Sequence, residues 1–97
     1  MKIENIINYN GNRAVNQFAI YHGDYIYFQS YETMIARYNR RNGELVITES
    51  WDCSVTTRKH FYIFLRYYTP FTPTRKNVLN HIKDGFFKVV DEKTICL

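Results

Sequence analysis

No acidic residue lies between Asp52 and Asp84, a stretch that carries Arg58, Lys59, Arg66, Arg75, Lys76 and Lys83 together with His60 and His81. The 97-residue chain has 13 Lys and Arg against 9 Asp and Glu, a net charge of only +4. The uneven distribution, more than the total, therefore singles out one surface for an anionic partner. Long apolar runs are absent too. Nothing approaches the ~18 residues that a membrane-spanning helix needs. The N-terminal MKIENIINYNGN has Glu4 and several Asn where a signal peptide requires an unbroken apolar stretch. No membrane association is expected, and the cytoplasm is the expected compartment. Two cysteines, Cys53 and Cys96, are too few for a disulfide scaffold and read as free thiols.

Glycine is scarce, with four in the chain, and no GxGxxG, GxxxxGKS/T, HExxH or nucleophile-elbow motif occurs. A loop built to cradle phosphate is therefore not expected, and the chain reads as non-enzymatic. Cys53 and His60 would stand about 10 Å apart along a helix that rises 1.5 Å per residue, too far for a thiolate–imidazole pair. Cys53, Cys96, His22, His60 and His81 show neither CxxC nor HxxxH spacing, so no metal and no cofactor is expected. The segment SVTTRKH, residues 54–60, puts hydroxyls and cations at a helix start where an anion could sit. Ordinary capping uses the same residues.

Aromatic residues are abundant: 9 Tyr, 7 Phe and 1 Trp. So many tyrosines cannot all find buried hydroxyl partners, and several should lie at the surface. Residues 1–12 read as a short strand or an irregular lead-in. VNQFAIY and YIYFQSY, around His22-Gly23-Asp24, read as a hairpin. A three-residue loop gathers Phe18, Ile20, Ile26 and Phe28 on an inward face and leaves Gln17, Ala19, Tyr21, Tyr25, Tyr27 and Gln29 on the other. Asn42-Gly43 signals a second hairpin with a two-residue turn, in which Arg41 faces Glu44, Arg40 faces Leu45 and Tyr38 faces Ile47. Met34, Ala36, Tyr38, Leu45 and Ile47 then share one face, with Ile35, Arg37, Val46 and Thr48 on the other.

The spacing of Phe61, Phe64, Leu65 and Tyr68 predicts a helix over residues 55–68, started by Ser54 and Thr56 and ended before Pro70. Arg58, Tyr62 and Arg66 form a stripe on its other side. A second helix has Thr72 as cap, Pro73 at its first position, Val78, Leu79 and Ile82 as apolar stripe, and Gly85 as stop. FFKVV reads as a fifth strand, and Thr94 to Leu97 as a packed tail. The whole, residues 1–97, is a single α+β domain: an antiparallel sheet of four to five strands with two helices on one face. Phe61, Phe64, Leu65, Val78 and Ile82 should pack on Phe18, Ile20, Ile26 and Phe28. The candidate binding residues are Arg58, Tyr62 and Arg66, with Arg75 and Lys76 alongside. Tyr25, Tyr27 and Arg37 follow on a sheet face left open unless a homodimer covers it. Cations interleaved with tyrosine also suit a small DNA- or RNA-binding module.

At NQF (16–18), FQSYETMIA (28–36) and WDCSVTTRKHxxxFL (51–65) the sequence resembles small proteins of unknown function encoded by bacteriophages and other mobile elements, a match over residues about 10 to 66. Relatives of that kind tend to carry an aromatic residue where Cys53 stands. The resemblance brings no activity. It implies an accessory protein acting in the cytoplasm of a bacterial host, a stoichiometric antagonist of host defence for which anti-CRISPR proteins are the type. Its partner would be a host protein or ribonucleoprotein complex.

Overall fold

Five strands follow one another in space as in sequence: β1 Lys2–Ile7, β2 Arg13–His22, β3 Tyr25–Ser30, β4 Thr33–Asn39 and β5 Leu45–Thr48, each antiparallel to the last. A 3₁₀ turn, Glu49–Asp52, leads into α1, Val55–Tyr68, and then α2, Arg75–Lys83. Strand β6, Lys88–Val90, returns to lie parallel to β5, and a second 3₁₀ turn spans Glu92–Ile95. The structure, a computed structural model, describes residues 1–95, so Cys96 and the end of the expected tail lie outside the described residues.

The α+β class is as expected, but the sheet has six strands and is mixed, where four to five antiparallel strands were expected. Residues 2–7 are a strand because Ile6 is fully buried beneath the helices while the Asn5 side chain donates through Nδ2 to the Ala14 carbonyl at 2.9 Å, fixing the edge. Only Lys88–Val90 of FFKVV pair with β5. Phe87 is instead a buried plug between α2 and the sheet, 5.0 Å from Phe71 and 4.8 Å from His81 between ring centres.

Both hairpin registers differ from expectation, with unequal consequences. His22 pairs with Tyr25 around a two-residue turn in which Gly23 takes φ +59°, the backbone region where a side chain is disfavoured. This one-residue slip turns β2 over relative to β3: Ala19 and Tyr21 lie with Ile26 and Phe28 under α1, while Phe18 and Ile20 lie opposite with Tyr25 and Tyr27. In the second hairpin Tyr38 pairs with Leu45, and residues 40–43 form a longer turn closed by the Asn39 side chain, which accepts from the Arg41 and Asn42 amides. That slip is two residues, so every expected face survives except at Met34 and Ile35. There a bulge at Ile35 on β4, opposite Phe28 and Gln29 of β3, puts Ile35 toward the helices and Met34 away.

The main core lies between sheet and helices. Phe61, Phe64 and Leu65 of α1 are fully buried, Phe64 stacking on Phe28 at 5.5 Å, and Val78 of α2 joins them. Leu79, expected in the α2 stripe, is exposed. That helix starts late: Thr74, not Thr72, is its cap, accepting from the Asn77 amide at 3.2 Å. The second sheet face carries its own small cluster of Ile20, Tyr27, Met34 and Val46, closed by Ile95 from the last 3₁₀ turn. The face is therefore partly roofed.

Candidate functional site

The start of α1 is tied down by the residues that made WDCSVTTRKH conspicuous. Ser54 caps the helix, accepting from the Thr57 amide at 3.0 Å, and the Thr57 hydroxyl meets Ser30 of β3 at 3.1 Å. Trp51 lies buried against Phe61. His60 Nδ1 donates to the Thr56 carbonyl at 2.8 Å, and its Nε2 lies 2.7 Å from the Asn8 side chain, tying the helix to the end of β1. These are structural roles. Cys53 is exposed and free, and among the described residues no group of His, Cys, Asp and Glu is arranged to hold a metal.

One turn further along, α1 and α2 meet at a charged seam. Arg58 donates to Asp52 Oδ1 at 2.6 Å, and Arg75, the first residue of α2, reaches both carboxylate oxygens, 3.1 Å from Oδ1 and 2.9 Å from Oδ2. Both carboxylate oxygens are engaged. The hydrogen bond from Arg58, helped by Arg75, holds the Asp52 carboxyl below its ordinary range against the opposing effect of partial burial. Tyr62 faces the same three groups. Burial raises its phenol above the usual value, against the nearby Arg75 and Arg58; the Arg75 guanidinium, itself a donor, lies beside its buried hydroxyl, and no acceptor meets the phenol proton. An unpaired buried hydroxyl costs about 1–3 kcal/mol.

Of the expected binding residues, Arg58, Tyr62 and Arg75 thus come together, around an Asp52 that reads in sequence only as the border of the acid-free stretch. Arg66 and Lys76 are exposed on the same two helices. Arg58 and Tyr62 are not the free stripe their spacing predicts, since one is held by Asp52 and the other packs on the core. On the far sheet face Arg37 stacks over Tyr25 at 4.6 Å. Tyr27 is buried beneath them at 4 % exposure and is no surface residue, because the slip in β2 puts Ile20 beside it.

A second feature escaped the sequence because it joins distant segments. Ile7, Asn8, Tyr9 and Gly11 face Ile63, Tyr67 and Tyr68 across a cleft of about 420 Å³ beside the open edge of β1. Tyr68 donates to Glu4 at 2.7 Å, and burial followed by that carboxylate raises its phenol far above the ordinary value.

Fold and seam together define a two-layer α+β domain with an Arg/Tyr cluster where its two helices meet. The chain belongs to DUF8033, a family of unknown function, whose model matches residues 1–80. That reach exceeds the resemblance read from residues 10 to 66: it includes β1 and most of α2 and ends before β6. No curated protein matches, and no solved structure matches.

Proposed function

We propose that this chain is a non-enzymatic accessory protein that docks a host macromolecule on its α1–α2 seam and blocks it. The observation that carries the reading is the convergence of Arg58, Tyr62 and Arg75 from two helices, with Lys59, Arg66 and Lys76 exposed on the same helices. Tyr and Arg are the residues most often found at the energetic centre of protein interfaces. The inhibitory role, with a CRISPR effector as the target class, comes from the resemblance to phage-encoded proteins and not from the geometry.

Co-production with a panel of host CRISPR effectors should protect a targeted plasmid from at least one of them. Arg66→Ala with Lys76→Ala should lose that protection without loss of fold. Undiminished interference across the panel would end the inhibitor reading. A second reading, direct nucleic-acid binding, is favoured by the exposed ring of Tyr67, free to stack on a base, on a helix that also exposes the cations Lys59 and Arg66. Titration with DNA and RNA at two salt concentrations separates the two: a steep salt slope marks the nucleic-acid binder, and no measurable binding marks the protein binder.

A further inference from the structure

The seam contains three donors and an acceptor that serves two of them. Arg58 donates to Oδ1 of Asp52 and Arg75 reaches both of its oxygens, while the third donor, the Tyr62 hydroxyl, is buried beside them with Arg75 as its neighbour and no acceptor for its own proton. A carboxylate holds its lone pairs in a single plane, and here that plane serves the two guanidinium groups without reaching the phenol. A tetrahedral oxyanion offers further oxygens outside any one plane, which would accept from both arginines and from the phenol at once. The arginines come from different helices, so the donors approach from different sides, and Arg75 is half exposed toward solvent. Asp52 ends a short 3₁₀ turn and is followed by exposed Cys53, so its side chain can leave by rotating outward without unwinding a helix.

We propose that Arg58, Arg75 and Tyr62 form a receptor for one phosphate group, which the carboxylate of Asp52 occupies in the free protein. The ligand chemistry is a phosphate oxyanion, supplied either as a free phosphate or as a phosphodiester of a nucleic-acid strand. Asp52 is its internal competitor. Binding by the parent is correspondingly weak, and removing the competitor's charge unmasks it. The proposal rests on reading the seam as a recognition surface, and it adds the ligand and the device that masks it.

The test is titration of the isolated protein with inorganic phosphate and, separately, a short single-stranded oligonucleotide, followed by the NMR signals of the arginine side chains at constant ionic strength in chloride. The parent should show a weak, saturable shift of Arg58 and Arg75, and Asp52→Asn or Asp52→Ser should tighten it at least tenfold. Tyr62→Phe, which removes one oxygen and leaves the packed ring, should cancel most of the gain. The same pattern with phosphate marks a free-phosphate site, and with the oligonucleotide alone a phosphodiester site. No saturable shift in the parent with either probe overturns the proposal whatever the variants do, as does a shift that Tyr62→Phe and Arg75→Gln leave unchanged. Because the readout needs no partner, a seam that takes phosphate but inhibits nothing defeats only the inhibitor reading. A seam that inhibits without taking phosphate defeats only this inference.

Discussion

Asp52 is held by two guanidinium groups, and the lowering of its pKa has a definite sign in stability. A carboxyl with a depressed folded value contributes stability that is present above its unfolded value, near the ordinary 3.8, and is lost as pH falls through the folded one. Asp52→Asn should therefore melt below the parent at pH 6, and the gap should close as pH falls below that ordinary value. Melting curves of both proteins between pH 6 and pH 2 check this, and a gap that widens in acid contradicts it. Gln17 makes a different prediction. It is fully buried on the helix side of β2 with neither its carboxamide oxygen nor its nitrogen bonded. Replacing such a group by an apolar one of similar size removes a desolvation cost, so Gln17→Leu should stabilise the fold by about 1 kcal/mol, read by denaturant melts. A loss of that size would show the carboxamide to be held by water.

Among the elements, α1 was the most legible, and the reason is physical. Its period of Phe61, Phe64 and Leu65, its Ser54 cap and the prolines beyond it all act within one or two turns of chain, so local sequence specifies both its limits and its buried face. Phe64→Ala should cost about 3–5 kcal/mol, since the ring is fully buried against Phe28, and a variant melting with the parent would place the core elsewhere. The strands were less legible because both faces of the sheet are apolar. Phe18 and Ile20 could join Ile26 and Phe28 in one layer on paper, and only the turn at Gly23 and the cover that Ile95 provides decide otherwise. Tyr27 went astray by the same route. Asp52 was missed because its partners lie on two helices whose approach no local pattern encodes.

For the whole molecule, binding and folding are separable at the exposed cations but not at the seam. Replacing Arg58, Tyr62 and Arg66 together by Ala would break the Asp52 pair and empty packed volume under α2, so that variant should melt well below the parent. Arg66→Ala alone, at an exposed position, should stay within ~0.5 kcal/mol of it while still weakening partner binding. Melting and inhibition assays on both variants check the split; equal stabilities would mean that the seam carries no structural weight.

The parallel pairing of β6 with β5 makes Val46 meet Lys88 across both helices, whereas each earlier strand meets its immediate neighbour. Chain closure over that span has to be met before the pairing returns anything, while the meander closes through short turns. The sheet should therefore have two kinetic tiers. Amides of β3, interior and locally paired, should exchange with solvent only on global unfolding, and those of β6 through an earlier, partial opening that also lifts Ile95 from Met34 and Val46. Hydrogen exchange resolved by residue would show this as a lower opening energy confined to the C-terminal closure, with uniform protection across all six strands as the contrary result. The end of the chain would then act as a clasp, opening the second sheet face intermittently while the helical layer stays intact.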